Sequence, residues 1–561
     1  MRKSLAIVLS ALLLMTACCF VLSVSAAEGT PINTAEEFAA MAADGTYYLN
    51  ADITLSASYA NPFTGTLDGN GKTVTVSAPM FAEFNGTLKN ITITGNISST
   101  ADTGAVAPLS NSGCVMNNVT NNVNISVITD TAVLVGGLIG NDLGTDIVSD
   151  YTGVTNNGDV YVDCETADHR VGGLVGFAHN AIFTRCTNNG DVTVIGADPF
   201  VGGLSGYAAG KPAAANTAEA YYCLNTGKIS AQSPTNDGGD AGGLYGDIGC
   251  SGNLGFFRVF GCVNTGDVYG GYLSAGLVAY AYGSQANEFL DVEFSVNAGN
   301  ITYGFPVNAE TGAERTAFAS HFIAYTNSPY TAVKYNVATG TVAVAEGCQW
   351  SNNPFIGMSS ADALMYDISD NYLLAESMTG FVNTFWNTDT NFAEHPNNRQ
   401  PLTYGADNGL WTVVTADELA SGKIAVELNK AGEGYEGFYF YQTIGTDAAP
   451  TPFDTSKWVV DNGGVYANGE KPAETTPAPI ETTTPAPVED ETTPAPVEDE
   501  TTPAEQTPVE TTPAPTTPTE TTPAPTVDDK PAKSGCGSVV ALSVLACMIP
   551  AAVVICKKKR D

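Results

Sequence analysis

The stretch that decides the fold is GGLVGFAHNAIFTRCTNNGDVTV, residues 172–194, because both of its halves recur along the chain. The Gly-Gly-Leu-x-Gly half occupies 136–140, 172–176, 202–206 and 242–246, with a worn copy at 275–279. The Asn-x-Gly half, which ends in Val or Ile, returns at Asn156, Asn188, Asn225, Asn264 and Asn297. A period of roughly 32 to 39 residues predicts an array of repeats instead of a closed domain.

Each repeat contains short apolar runs, such as 190–194 and 201–204, separated by Asn, Gly and Asp. None is long enough for a helix, so the repeats predict strands joined by tight turns. Asn and Gly accept left-handed backbone angles, and their recurrence predicts a corner at that place in every repeat. The expected fold class is all-β, a right-handed parallel β-helix with small terminal caps, whose successive coils lie about 4.8 Å apart.

Stacking of equivalent residues would place Cys186, Cys223 and Cys262 in one inward-facing column. Adjacent coils bring Cα atoms within disulfide reach, so the sequence leaves open whether these residues are thiols or disulfides. The exported part of the chain has an odd number of cysteines, and at least one is therefore unpaired in a monomer.

The Gly-Leu-x-Gly element together with the Asn-x-Gly-x-Val turn resembles the GLUG-motif repeats of bacterial surface proteins, over about 120–300. The resemblance implies a parallel β-helix and an extracellular, adhesin-like role of an anaerobic Firmicutes type. It brings no catalytic residues with it. The Gln-x-Ile-Gly-x-Asp run at 442–447 resembles a segment that often closes such proteins, which implies a C-terminal capping module at 412–465.

Residues 28–310 are expected to form the regular β-helix, and 311–411 decayed coils with insertions. Thr34 followed by Glu37 predicts a capped helix over 34–43, which would cover the first coil. The spacing from Leu67 to Leu88 predicts one bare coil, and the Asp-Gly-Asn-Gly run that begins at Asp68 predicts a turn instead of a calcium loop. The stretch 415–429 predicts a capped helix, a glycine break and a second short helix.

Both ends of the chain predict export and anchoring. Residues 1–27 have the basic start, apolar run and small residues of a signal peptide, with lipidation of Cys18 as an alternative. Residues 535–556 predict a transmembrane helix, through the uncharged run 538–556, and the basic tail 557–561 would lie in the cytoplasm. Residues 466–534 are rich in Thr, Pro and Glu, which predicts a disordered stalk. Whether this stalk is glycosylated is left open.

The formal net charge of −37 argues against nucleic acid or an anionic membrane surface as a partner. No HExxH, CxxC or GxSxG motif accompanies the four histidines, so the sequence predicts no catalytic residue, cofactor or metal site. His169 and Arg170 are expected to face solvent. Asp159, Asp191 and Asp267 follow the repeat and predict a surface ladder.

The expected function is binding of an extracellular glycan or protein surface, through the lengthened segments 208–222 and 247–260. The candidate ligand-binding residues are Tyr207, Tyr221, Phe256 and Phe257, which could stack on sugar rings or be buried. Three tryptophans, Trp350, Trp386 and Trp411, leave the same two alternatives open. A polysaccharide lyase or glycoside hydrolase is the alternative function and requires a pair of carboxylates. A passive cell-surface coat is the second alternative.

Overall fold

The computed structural model describes residues 28–164, 167–210, 216–233, 238–250, 255–282, 289–304, 318–326, 328, 330–344, 354–359, 365–378, 411–432 and 440–452. The predicted signal peptide with Cys18, the stalk, the membrane segment and the basic tail lie outside these residues, as do Trp350 and Trp386. Within the described ranges, no helix has both the length and the apolar character needed to cross a membrane.

The described chain is mostly β-strand, arranged in one large sheet and two smaller sheets. The six-stranded sheet contains Leu134–Gly136, Arg170–Gly172, Phe200–Gly202, Asp240–Gly242, Leu273–Ala275 and Phe318–Ser320. The eight-stranded sheet contains Ala107–Ser110, Ile139–Asp142, Val175–His179, Ser205–Gly210, Tyr245–Cys250, Val278–Tyr282, Ile323–Thr326 and Ile356–Ser359.

The large sheet has 28 strands and takes up the rest of each repeat. Its strands are Thr30–Ile32, Thr46–Leu49, Ile53–Leu55, Thr66–Asp68, Thr73–Val76, Thr87–Ser99, Val115–Ile128, Ser149–Thr152, Thr155–Asn156, Val160–Asp163, Ala181–Thr184, Thr187–Asn188, Val192–Ile195, Asn216–Tyr221, Leu224–Asn225, Ile229–Gln232, Gly255–Phe260, Val263–Asn264, Val268–Gly270, Phe289–Glu293, Val296–Asn297, Ile301–Tyr303, Tyr330–Lys334, Val337–Ala338, Val342–Val344, Met365–Ser369, Asn371–Leu374 and Trp411–Val414. Strands pair in parallel with their counterparts one repeat away, so the prediction of parallel β-structure is confirmed.

The register follows the sequence repeat residue by residue. Asn156 pairs with Asn188, and the same column continues through Asn225, Asn264 and Asn297. Leu67 pairs with Leu88, which confirms the short first repeat. Beyond the regular repeats, strands continue in the same parallel register as far as Trp411–Val414.

The repeated asparagines form a buried hydrogen-bonded ladder. Each Nδ2 donates to the Oδ1 of the next asparagine at 2.8–2.9 Å, across sequence separations of 35, 32, 37, 39 and 33 residues from Asn121 to Asn297. From Asn156 onward, Nδ2 also donates to the carbonyl of the glycine two residues later in its own repeat. At the end of the ladder, Asn297 Nδ2 lies 2.9 Å from His321 Nδ1. Burial lowers the pKa of His321 to about 4, so its ring is neutral and can accept this bond.

The predicted corner is present, since bends at Gly158 and Gly190 separate two short strands, but the expectation that it uses left-handed backbone angles is wrong. The left-handed residues lie three positions before each ladder asparagine and before Ala338, which continues the same column; from Asn118 to Tyr335 they have φ between 52° and 63°. They are Asn118, Gly153, Arg185, Tyr222, Gly261, Phe294 and Tyr335. Arg, Tyr and Phe rarely adopt this backbone, at a cost of about 1–2 kcal/mol per residue, so residue type could not have located the turn. Parallel hydrogen bonds hold it instead, such as Tyr222 N–H to the Phe260 carbonyl at 2.8 Å.

Glycine recurs beside the ladder because backbones approach closely there. A Cβ at Gly190 would lie 2.0 Å from the carbonyl oxygen of Gly158, one repeat earlier. A Cβ at Gly173, in the Gly-Gly-Leu-x-Gly element, would lie 2.3 Å from Asn188 Oδ1. The two halves of the sequence repeat therefore fit together, since the small residue of one half packs on the amide of the other.

Cys186, Cys223 and Cys262 are buried in the core as free thiols. The backbone N–H of Cys223 donates to Cys262 Sγ at 3.3 Å, which confirms the expected inward column. Burial raises the pKa of Cys223 well above its usual value, and the neighbouring thiols raise it further. A buried neutral thiol in this setting acts as a small apolar filler.

The N-terminal helix is confirmed as Ala35–Ala39. The Thr34 hydroxyl accepts from the Glu37 N–H at 3.2 Å, while the Glu37 carboxylate accepts from the Asn33 N–H at 2.6 Å. Phe38 is buried and its ring centroid lies 5.5 Å from that of Phe81. The helix therefore joins the core of the first repeats.

The predicted C-terminal helices are Ala416–Ala420 and Lys423–Ala431, preceded by a one-turn 3₁₀ helix at Ala375–Met378. Thr415 and Glu418 form a reciprocal capping box, and Gly422, with φ of 82°, makes the break. These features confirm the helix, break and helix read from 415–429.

The two helices do not simply cover the end of the last repeat. Their buried Leu419, Ile424 and Leu428 share one hydrophobic cluster with residues of the large sheet, four of which lie in one column. Those four are Leu224, Val263, Val296 and Val337. Their neighbours along the chain face inward as the ladder, so these four face outward, where the earlier repeats have Thr155 and Thr187. The helices therefore belong with the outer side of the sheet, and Trp411 closes the inner core against Phe355.

We predict that Asn225→Ala lowers the free energy of unfolding by about 2–4 kcal/mol, because it leaves buried amide and carbonyl groups of the ladder without partners. The shift of the urea midpoint measures this loss.

Asn189→Ala is the matched control, because Asn189 belongs to a second row of asparagines that is exposed to water. Its effect should stay within about 0.5 kcal/mol. Equal losses for the two variants would contradict a stabilising role for the buried ladder.

Candidate functional site

The Gly-Gly-Leu-x-Gly element connects a strand of the six-stranded sheet to a strand of the eight-stranded sheet in each repeat. Its leucine is buried, as at Leu174 and Leu204, and its glycines let the two strands pack closely. Two residues flank this turn in each repeat. One lies two positions before the first glycine, and the other directly follows the last glycine. These flanking residues form two columns, one on each small sheet.

We call the two columns together the aromatic tract. On the eight-stranded sheet the column is Phe177, Tyr207, Asp247, Tyr280 and Tyr325. On the six-stranded sheet it is Arg170, Phe200, Asp240, Leu273 and Phe318. The tract therefore combines aromatic rings with one cation and one pair of carboxyl groups.

Ring contacts join the two columns into one surface. Phe177 and Tyr207 stack with centroids 5.1 Å apart, and Phe200 lies 6.4 Å from Tyr207. The Arg170 guanidinium sits over the rings of Phe200 and Tyr207, at 5.1 and 5.5 Å from their centroids. Further along, Tyr280 and Tyr325 lie 4.9 Å apart. The four half-buried rings of Phe177, Tyr207, Tyr280 and Tyr325 keep part of their faces accessible.

Asp240 and Asp247 interrupt both columns in the same repeat. Their side chains are only 4% and 5% exposed. Among the described residues, neither Asp240 Oδ1 nor Asp247 Oδ1 has a hydrogen-bond partner. Asp198 lies close by and accepts from the Gly239 N–H at 3.1 Å. Two buried carboxyl oxygens thus lack partners in the middle of a row of aromatic rings.

Burial raises the pKa of Asp247 to about 8, with Arg170 acting against this shift and Asp198 adding to it. The pKa of Asp240 is raised well above its usual value, first by burial and then by the charges of Asp198 and Asp247. Burial also raises the pKa of Asp198. A pKa of about 8 keeps the carboxyl group of Asp247 mostly protonated at neutral pH, so it can donate as well as accept a hydrogen bond, and burial shifts the pKa of Asp240 in the same direction.

This arrangement suits binding better than hydrolysis. Glycoside hydrolysis by two carboxyl groups requires one of them ionised, as a nucleophile or base, while the other is a protonated acid. In the unliganded structure burial raises the pKa of both Asp240 and Asp247, which opposes the ionised partner that such hydrolysis needs. Aromatic faces with a few polar groups are typical of small-ligand sites.

The four sequence candidates do not form one site. Tyr207 lies in the aromatic tract. Tyr221 lies on the large sheet, where its hydroxyl donates to Glu219 and its ring packs near Phe260. Phe257 is buried in the core at 3% exposure, so of the two alternatives burial applies to this ring and it cannot stack on a sugar there. Phe256 pairs through its backbone with Phe289, and its side chain lies outside the described part.

The segments expected to be long contact loops are mostly strands. Ser205–Gly210 and Asn216–Tyr221 account for most of 208–222, and Tyr245–Cys250 and Gly255–Phe260 for most of 247–260. The connecting residues 211–215 and 251–254 lie outside the described residues. The strands on both sides of these connections are longer than the equivalent strands Val175–His179 and Ala181–Thr184 of the preceding repeat.

The expectation that His169 faces solvent is wrong. His169 is fully buried, and its Nδ1 accepts from the Val133 N–H at 3.3 Å. Burial lowers its pKa, so the ring remains neutral. The neighbouring Arg170 lies in the aromatic tract.

The expected surface ladder is confirmed where Asp159 Oδ1 accepts from the Asp191 N–H at 2.9 Å.

The sequence reasoning missed Asp240 and Asp247, although a signal existed. The fourth Gly-Gly-Leu-x-Gly element is the one with an acidic residue at both flanking positions. Acids such as Asp159 recur at one position of the repeat, whereas Asp240 and Asp247 break the pattern of both flanking positions. The tract residues Phe200, Tyr280 and Tyr325 were missed for the same reason.

A second buried acid has a structural role. Asp142 Oδ1 accepts from the Ser149 hydroxyl at 2.9 Å, and Oδ2 accepts from the Tyr151 hydroxyl at 2.7 Å. Burial raises the pKa of Asp142 to about 6. Both oxygens have partners inside the core, which leaves no acceptor for a ligand. In the described ranges, no three His, Cys, Asp or Glu side chains are grouped as metal ligands.

Comparison of the chain with protein-family models, with curated proteins and with solved structures gave no match.

We predict that the contribution of Asp247 to the stability of the folded protein falls as the pH rises from about 4 towards 8, because Asp247 stays protonated in the native state and ionises when the chain unfolds. A raised native pKa stabilises fully at low pH, and this contribution is lost as the pH approaches about 8. Asp247 alone contributes up to about 1.4 kcal/mol per pH unit in this window.

Asp247→Asn removes the titration, so its thermal midpoint should exceed that of the wild type at about pH 8, with the gap shrinking towards about pH 4. Asp159→Asn changes the formal charge equally at an exposed position and should produce no such pH-dependent gap. A constant gap for Asp247→Asn would show that its carboxyl group is not protonated in the native state.

Proposed function

We propose that this chain is a membrane-anchored extracellular protein that binds carbohydrate through the aromatic tract on a right-handed parallel β-helix of GLUG-type repeats. The observation that best supports this proposal is a row of half-buried rings at one position of four repeats. These rings are Phe177, Tyr207, Tyr280 and Tyr325. Sugar rings have apolar C–H faces that pack on aromatic rings, and hydroxyl groups that need polar partners. The tract offers both kinds of contact.

The β-helix is supported by three sheets whose strands pair with their counterparts one repeat away. It is also supported by the inward columns of Asn and Cys, which a solenoid with stacked repeats would bury. The hand of the helix is part of the proposal.

Location at the cell surface is supported by the sequence. A signal-like start, a Thr/Pro-rich stalk at 466–534 and an apolar run with a basic tail would hold the folded body away from the membrane. This placement favours contact with extracellular polymers. The acidic net charge favours neutral or cationic ligands over anionic ones.

Hydrolysis of the carbohydrate is the second candidate function, because the fold brings Asp240 and Asp247 into the same tract. Ligand-induced ionisation of one carboxyl group would create the acid and base pair that hydrolysis needs. An assay for released sugars with the binding panel separates this alternative from binding alone.

We predict that Tyr207→Ala and Tyr280→Ala each weaken binding to a polysaccharide selected from a neutral and cationic panel by about fivefold, since each removes one stacking face. Affinity electrophoresis of the full-length chain measures the change. Tyr161→Ala is the control, because Tyr161 is a half-buried tyrosine on the large sheet, away from the tract.

Equal weakening by Tyr161→Ala would contradict the tract as the binding site. Release of sugars by the wild type would favour the hydrolase. An absence of binding across the panel would favour a passive coat.

We predict that deletion of 536–561 releases the protein into the medium, because it removes the apolar run that would hold the chain in the membrane. Cell fractionation measures the released share. If the truncated chain stays with the cells and Cys18→Ala then releases it, a lipid at Cys18 is the anchor instead.

A further inference from the structure

The centre of the aromatic tract has an unmet electrostatic requirement. Asp240 Oδ1 and Asp247 Oδ1 are buried and, among the described residues, without hydrogen-bond partners. Leaving a buried polar atom unpaired costs about 1–3 kcal/mol, so a ligand that supplies donors here recovers this cost. Asp247 stands between Tyr207 and Tyr280 in its column, and Asp240 between Phe200 and Leu273.

We infer that Asp240 and Asp247 bind an organic ammonium group, such as the amino group of a hexosamine residue, between the rings of the aromatic tract. This inference rests on the proposed carbohydrate-binding function and specifies the class of its ligand. An ammonium group has three donors and a positive charge, which match two carboxyl groups. Its charge is also attracted to the faces of tyrosine and phenylalanine rings.

The tract already holds one cation in this way. The Arg170 guanidinium lies over Phe200 and Tyr207, at 5.1 and 5.5 Å from the ring centroids. Two repeats after Arg170, aspartates take the corresponding positions, and the rings of Tyr207 and Tyr280 lie on either side of Asp247 in its column. The same surface thus has a site with its own cation and, beyond it, a site with two carboxyl groups.

The surroundings favour an ammonium group over a metal ion. Calcium requires six to eight oxygen ligands, whereas the described residues contain no group of three acidic, His or Cys side chains placed to hold a metal. Hydrophobic rings line the same place and suit the carbon skeleton of an amino sugar. The formal net charge of −37 also draws cationic polymers towards the protein.

Binding of a cation changes the protonation of the pair. The titratable and charged groups that interact with the pair are Arg170, Asp198, Tyr272 and Tyr280. Without ligand, burial holds the pKa of Asp247 at about 8. A neighbouring ammonium lowers that pKa, so Asp247 gives its proton to solvent on binding. Binding below pH 8 therefore releases protons, which binding of a neutral sugar does not require.

The test compares a glucosamine hexamer with its fully N-acetylated counterpart, which has the same backbone and no charge. Both are titrated by calorimetry into the full-length chain, in a non-ionic detergent that lacks a sugar headgroup, at about pH 6. We expect the free-amine hexamer to bind about tenfold more tightly or better. Titrations in two buffers of different ionisation enthalpy should show net proton release with this hexamer.

The double variant Asp240→Asn with Asp247→Asn keeps side-chain shape and removes both titrations. It should lose the preference for the free amine and the proton release, while a thermal melt confirms folding. Asp159→Asn removes one exposed acid and should retain both effects.

Equal affinity of the two hexamers, or tight binding of the free amine that persists in the double variant, would overturn the inference. Binding of only the acetylated hexamer through Tyr207 would overturn it and leave the proposed function standing. If neither hexamer nor any polysaccharide of the panel binds, both proposals fail together.

Discussion

The structure depends on one constraint, the parallel register that places each residue beside its counterpart one repeat away. The buried asparagine ladder shows what this constraint requires. The amide of Asn188 is satisfied only because Asn156 and Asn225 occupy the same position in the adjacent repeats. A polar side chain that would be costly alone becomes a favourable core residue when it is repeated. The ladder therefore binds successive repeats together, and the glycines beside it must remain small because the backbones touch there.

The same constraint makes a change of residue type within a column informative. On the large sheet, threonine gives way to Leu224 and Val263 in the repeats that share a hydrophobic cluster with the C-terminal helices. On the two small sheets, aromatic residues give way to Asp240 and Asp247 in one repeat. Each change of residue type marks a place where the outer surface contacts a group other than solvent or the adjacent repeats. In the first case that contact is within the chain, and in the second it is the proposed ligand.

Buried carboxyl groups with raised pKa values oppose folding at neutral and alkaline pH, and a purely structural position would more easily hold an apolar residue. The comparison with Asp142 supports this reading, because its two carboxyl oxygens have hydroxyl donors within the core. Asp240 and Asp247 each retain an oxygen without a partner in the described part of the chain. Perturbed titratable groups of this kind concentrate at functional sites, so the electrostatic cost points to the same place as the aromatic rings.

The sequence by itself determined the all-β class, the parallel stacking, the short repeat between Leu67 and Leu88, the inward cysteines and the capped helices at both ends. These follow from periodicity and local capping chemistry, which act between residues at the same position or close along the chain. Only the tertiary structure decided that the ladder asparagines face inward, that Tyr222 and Phe294 make the left-handed turn, that His169 is buried, and that Asp240 lies in one tract with Asp247. Periodicity identifies which residues are equivalent from one repeat to the next. Which different positions meet within a repeat depends on where the backbone bends, and the hydrogen bonds between repeats fix that bend more strongly than the residue type at the turn.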